Sequence, residues 1–373
     1  MPSSNNWLLV NLVIEQYPPI ATTPKYNFPQ SGIDTTLPRQ FIELSLHSLE
    51  NAPVQAFQLN QQIVQQFGSM DVHEQALRLR LEPLLLKPLR EEKIVVAVDT
   101  STMKIGETST GMVIAVRGAN VWKQHRRYRY MRFGPFIFHV TEENKRQVYE
   151  TLERTYFNSR NEHSHQGAPS ILQMPTRIAS LLERWLQTMA VKTMNNGLIL
   201  FDGSLTAGTA ETPTHRMKEI LDTARKRDNV VLAFSKMTNL RVNGRLITDL
   251  LPEHKPPYLL ETEGLKLKPP MVLLGNVYVA RLSKLELAFR LDIDKEVQPD
   301  AGIVAVEKLL GNDLFADSYP ETLRLAHILC TFTANEVLAM QHFVTRRFGL
   351  QIINRPDMHR LLFGLFGKGE GYS

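Results

Sequence analysis

The runs Ile94-Val95-Val96-Ala97-Val98-Asp99 and Leu198-Ile199-Leu200-Phe201-Asp202 each carry continuous apolar residues into a terminal aspartate. Uninterrupted apolar runs of this length mark strands buried on both faces, the kind found where helices cover a sheet on both sides. A third run, residues 229–234, ends at Ser235-Lys236. Before the second run, Ile178, Leu181, Leu182, Trp185, Leu186 and Met189 recur at helical spacing, with Pro175 suited to the first turn and Asn195-Asn196-Gly197 as a stop. A helix over 215–226 separates the second run from the third. Upstream, strands are predicted at 111–117, 121–133 and 136–140, followed by a polar helix from Thr141. The pattern predicts an α/β fold: a mixed sheet flanked by helices, with its chemistry gathered at the C-terminal ends of the strands. Asp99, Asp202 and Lys236 all fall at such ends.

Around this core, residues 1–92 read as an N-terminal extension, helical and serving as an interface or accessory region. It opens on an apolar segment, 7–14, and has helical patterns at 38–49 and 70–89. The main domain spans 93–350, and 351–373 read as a tail. Within the domain, 158–169 suggest a solvated loop and the proline-rich 251–270 another. Strands are expected at 272–282 and 287–291, and a helix at 301–310. Thr333-Ala-Asn-Glu336 is a capping-box pattern, and Gly349 is a stop for the helix it starts.

Hydrophobic residues at 43% and charged residues at 22% exclude global disorder and a membrane bundle. The longest apolar stretch, 271–282, is interrupted by Gly275 and Asn276 and falls short of the roughly 20 residues of a spanning helix. Glu15 follows the 7–14 segment and the first basic residue is Lys25, a pattern unlike a signal peptide. The one cysteine, Cys330, cannot form an intrachain disulfide or a zinc knuckle, so a cytoplasmic protein with a buried thiol is expected. The formal charge of +5, from 43 basic and 38 acidic residues, is compatible with a polyanionic partner.

A carboxylate ending a buried strand is costly unless paired or bound to a cation, so Asp99 and Asp202 in analogous positions suggest a divalent metal. Hard oxygen ligands favour magnesium or manganese, ions that activate water for phosphodiester cleavage. Capping of the following turns by the two aspartates remains open as the alternative. Residues 121–133 hold Lys123, Arg126, Arg127, Arg129 and Arg132, interleaved with Trp122, Tyr128 and Tyr130 and without an acid. Cations that neutralise phosphates beside aromatics that stack on bases suit single-stranded DNA; a charged sheet edge is the alternative. His163 and His165 read as solvent-facing, Asp292 and Asp294 as surface turn acids, and 364–369 as tail rather than a phosphate loop.

Four segments in order, Val95-Val96-Ala97-Val98-Asp99-Thr-Ser, Leu198-Ile-Leu-Phe-Asp202-Gly-Ser-Leu, Phe234-Ser-Lys236 and Tyr319-Pro-Glu-Thr-Leu-Arg-Leu-Ala-His327, resemble those of the NurA nucleases. The resemblance covers roughly 93–350. It implies an RNase H-like core, manganese or magnesium as cofactor, and 5′-to-3′ exonuclease with single-strand endonuclease activity. It also implies a homodimer working with the hexameric HerA ATPase in DNA end resection. On the matching positions it makes Asp99 and Asp202 metal ligands and Glu183 the third carboxylate, with Glu153, Glu142 or Glu143 as alternatives. Lys236, Tyr319 and His327 match the remaining catalytic positions, and Tyr319 and His327 are expected to border the site without touching the same atom. Thr100 stands where the family has glycine, and Glu321 where a second aromatic is common. Two other classes compete: a phosphotransferase of the actin/hexokinase type, and a non-catalytic adaptor of the same fold.

Overall fold

The computed structural model describes residues 36–50, 77–157, 169–285, 287–316 and 318–353. Three strands form an antiparallel meander: β1 (Val95–Glu107), β2 (Gly111–Gln124) and β3 (Arg127–Thr141). The next two, β4 (Leu198–Asp202) and β5 (Val230–Ser235), add on the other side of β1, parallel to it. The resulting order 3-2-1-4-5, with β2 alone antiparallel, is that of an RNase H-like core. Three antiparallel strands extend it beyond β5: β6 (Tyr258–Glu263), β7 (Gly275–Arg281) and β8 (Phe289–Asp294), in the order β5-β8-β7-β6.

Side-chain alternation along β1 and β4 decides which helices meet which residues. Val96, Val98, Ile199 and Phe201 face a core built with α1 (Thr36–Glu50), α2 (Lys145–Phe157), α3 (Met174–Thr193) and α4 (Thr214–Arg225). Val95, Ala97, Leu198 and Leu200 face the opposite core, where α5 (Pro299–Asn312) and α6 (Glu321–Cys330) pack. The last helix, α7 (Ala334–Phe348), begins as its sequence predicts. The Thr333 hydroxyl accepts from the Glu336 amide at 3.3 Å, and Gly349 ends the helix at φ +66°. From the N-terminal region, Phe41 of α1 is fully buried against Phe136 and Phe138.

The structure corrects five expectations. Asp99 does not end its strand: β1 continues through it to Glu107, paired with β2 all the way, so Asp99 lies within β1 beside the point where β4 ends at Asp202. The three strands expected between 111 and 140 are two long ones, folded over at His125-Arg126; a register shift between Val116 and Gly118 breaks the apolar pattern and makes one hairpin read as pieces. The expected loop at 251–270 contains β6, hidden between Pro256-Pro257 and Pro269-Pro270. Residues 77–89 form no helix: Arg78–Leu79 and Leu84–Leu85 pair in short strands with β6, and Pro83 and Pro88 forbid a continuous helix. Asp292 and Asp294 are buried in β8 rather than exposed in a turn, because each has an arginine partner, Arg290 and Arg225 respectively. The expectations for 1–35, for the 158–168 loop with His163 and His165, and for the tail beyond 353 lie outside the described residues. Among the described residues no helix is long and apolar enough to cross a membrane.

Candidate active site

In the parallel pairing of β1 with β4, Val98 stands opposite Phe201, so Asp99 and Asp202 follow side by side. Alternation turns both toward α6. The Asp99 carboxyl is held above the usual carboxylate range, first by burial and then by the Asp202 charge; His327 and Lys236 oppose the shift. The two neighbouring aspartates are kept together by the groups around them. Asp99 accepts the Thr100 amide at 2.7 Å, and its other oxygen lies 2.8 Å from His327 Nδ1. Thr100 therefore continues β1 without a turn, where the family pattern has glycine. Asp202 pairs with Lys236 Nζ at 2.6 Å and meets the Tyr319 hydroxyl at 3.5 Å. Tyr319 and His327 thus contact different aspartates. Burial pushes the Tyr319 phenol up, and both aspartates add to the shift. Its ring packs edge-on against Phe234 and Phe289, which fixes where the hydroxyl points.

Glu183 comes from α3, on the other side of the sheet. Burial raises its pKa and Arg184 opposes this, while the charges of Asp99 and Asp202 push in the same direction as burial. Its Oε1 accepts from Gln187 at 3.0 Å. The alternatives have other surroundings: Glu153 feels Glu150, Arg177 and Arg154, Glu142 pairs with Lys145, and Glu143 is exposed.

Beside Asp202 opens a cleft of about 580 Å³ whose walls include Ser204, Lys236, Met237, Lys268 and Arg290. Gly203 lies on it at φ +106°, a conformation that favours glycine, with no atom within 4 Å of where a Cβ would project. Arg290 is set by a buried partner: its Nε and Nη2 each donate to Asp292 at 2.7 Å, and Asp292 Oδ2 also accepts the Leu205 amide at 2.9 Å. One buried carboxylate therefore ties the loop after Asp202 to a cleft arginine. Sequence reasoning missed this pair, although the alternation Arg290-Leu-Asp292 puts both on one strand face.

The basic stretch divides. Lys123 is buried, its ammonium 5.1 Å from the Tyr128 ring centroid, and burial lowers its pKa. Tyr128 donates to Asp313 at 2.7 Å. Arg132 pairs with Glu336 at 3.2 Å, sharing that carboxylate with Arg117 at 2.7 Å. Arg129 is half-buried, whereas Arg126 and Arg127 are exposed at the hairpin tip, beside His125 at φ +58°.

No protein-family model matches the chain, and no curated protein does. Among solved structures it is similar to the NurA nuclease from Sulfolobus solfataricus, at 14% identity and a TM-score of 0.45 over 71% of this chain and 88% of that one. A second NurA structure aligns at 10% identity and a TM-score of 0.40, over 71% of this chain and 92% of that one. An endonuclease V from Bacillus subtilis aligns at 11% identity and a TM-score of 0.33, over 71% and 88% of the two chains.

Proposed function

We propose that the chain is a divalent-metal-dependent DNA nuclease, a phosphodiester hydrolase. The observation that supports this is that Asp99 and Asp202 stand side by side on paired parallel strands, with Glu183 the third carboxylate that the motif resemblance assigns. Burying carboxylates together is costly unless a cation compensates. An all-oxygen set of this kind fits Mn²⁺ or Mg²⁺, and these three residues would hold it. A bound ion would supply polarisation of the phosphoryl oxygen and a nucleophilic water at neutral pH.

The other side chains have roles that follow from their contacts. Lys236, in its ion pair with Asp202, offers positive charge where a pentacovalent phosphate would gather negative charge. Tyr319 fixes the second oxygen of Asp202. His327 holds Asp99 through Nδ1, leaving Nε2 as the ring nitrogen able to pass a proton to the leaving oxygen. DNA would meet the cleft beside Lys236 and the exposed Arg126-Arg127 tip, with the rest of Lys123, Tyr128, Arg129 and Arg132 bracing that hairpin.

The finer reading follows the motif resemblance: 5′-to-3′ exonuclease and single-strand endonuclease activity in the cytoplasm, as a homodimer with a HerA-type hexameric ATPase, in end resection and double-strand break repair. The segment proposed to dock the ATPase, 7–14, lies outside the described residues. Digestion of 5′- and 3′-end-labelled single- and double-stranded DNA with manganese, magnesium or EDTA tests the proposal. Metal-dependent shortening from the 5′ end supports it. ATP binding without cleavage would favour the phosphotransferase, and neither activity the adaptor.

A further inference from the structure

Cys330, the one cysteine of the chain, lies one helical turn beyond His327 on α6. Residues three apart share a helix face, so the thiol and the imidazole are carried together by a rigid element. Ligand-capable atoms of Asp99, His327 and Cys330 all lie within 4.8 Å of one another. Cys330 is fully buried and donates to the His327 carbonyl at 3.2 Å, while His327 is about half exposed, so the group has a closed floor and an open side. A tetrahedral ion bound at zinc distances spaces its ligands about 3.3–3.7 Å apart, so no pair need close by more than about an ångström, while His327 Nδ1 and Asp99 Oδ2, 2.8 Å apart, open slightly. Sulfur, imidazole and one carboxylate form a donor set for zinc, not for a hard ion that seeks oxygen alone.

We propose that Asp99, His327 and Cys330 form a site for a soft divalent cation of the zinc class, distinct in donor set from the carboxylate group but sharing Asp99 with it. On binding, the thiol loses its proton to solvent, the hydrogen bond between His327 and Asp99 gives way to two metal bonds, and water completes the coordination from the open side. The consequence rests on the nuclease reading: zinc claims Asp99 and so opposes manganese-supported cleavage.

The test needs no DNA. Cobalt(II) is titrated into the reduced full-length protein while its near-ultraviolet spectrum is recorded, and zinc affinity is measured by competition with a chromophoric chelator. The expected result is a sulfur-to-cobalt charge-transfer band that saturates at one equivalent and is abolished by zinc. With a single cysteine the band has one source. Zinc affinity should fall at least about tenfold in both Cys330→Ser and His327→Ala. Absence of the band in the wild-type protein, or an unchanged zinc affinity in both variants, would overturn the proposal. Because the readout is spectroscopic, a negative cleavage assay would leave it standing, and a missing band would leave the nuclease reading standing.

Discussion

His327 Nδ1 lies 2.8 Å from Asp99 Oδ2, joining α6 to the interior of β1 across 228 residues of sequence. The contact lays α6 over β1 beside the end of β4 and brings Tyr319, at the start of that segment, to Asp202. The site is therefore closed by a helix that belongs to neither strand. Its geometry depends on how α6 is anchored as much as on the aspartates themselves.

The crowding of carboxylates has a thermodynamic signature. Asp99 has a folded-state pKa above the ordinary 3.8, so in the window just above 3.8 the folded chain binds more protons than the unfolded one. Stability then falls as pH rises through that window, and the deficit persists at neutral pH. Asp99→Asn keeps a polar partner for His327 and removes the charge. Calorimetry in EDTA should show the variant melting about 1–3 °C higher than wild type at pH 7, the two converging below pH 3.8. A lower melting temperature at pH 7 would mean that Asp99 is held mainly by attraction.

In the proposed nuclease reaction Lys236 would act on charge that develops in the transition state more than on substrate binding. Lys236→Ala is expected to lower kcat by about a hundredfold with KM changed less than about threefold. Steady-state kinetics separates the two. A rise in KM alone would reassign Lys236 to holding DNA.

The two halves of the basic stretch should behave differently. Replacing Arg126 and Arg127 together with Ala should flatten the dependence of log affinity on log salt for single-stranded DNA by about 1.4, at about 0.7 per lost phosphate contact, with little change in melting temperature. Arg132→Ala should instead destabilise the fold, since it strips a partner from the Glu336 cluster. Fluorescence anisotropy over a salt series distinguishes them, and an unchanged slope in the double variant would move the DNA path elsewhere.

Glu336 provides a pH dependence of the opposite sign. Burial alone would raise its pKa, but Arg117 and the Thr333 amide outweigh this and hold it at about 2, below the ordinary 4.5. The stability it contributes is fully present above 4.5 and is lost as pH falls toward 2. Glu336→Gln should melt below wild type at pH 7, and thermal scans should show the gap closing between those two values. A gap constant with pH would mean that its charge is not involved.

What the sequence reveals depends on how local the physics is. The runs ending in Asp99 and Asp202 are legible because helices cover both sheet faces, leaving no polar alternation to blur the signal. The cap at Thr333 and the stop at Gly349 are equally local. By contrast, β6 is hidden by flanking prolines, and the β2–β3 hairpin by a bulge. The site shows the same division. Asp202 and Lys236 stand out as strand ends, Asp99 stands out only as the end of an apolar run within the longer β1, and the pairing of β1 with β4 brings the aspartates together. The internal use of Tyr128 and Arg132 is invisible locally, since their partners Asp313 and Glu336 lie 185 and 204 residues away. The Arg290–Asp292 pair shows as strand alternation, but its bond to the loop after Asp202 depends on a contact 87 residues long.

The central claim is that Asp202 holds the ion that drives cleavage, and single-turnover cleavage of end-labelled single-stranded DNA in manganese, comparing wild type with Asp202→Asn, tests it most directly. Asparagine preserves shape and a hydrogen bond to Lys236 or Tyr319 while removing the charge. The account predicts a rate at least about a thousandfold lower in the variant, with DNA affinity nearly unchanged. A variant rate within about tenfold of wild type, or wild-type cleavage that persists in EDTA, would contradict it.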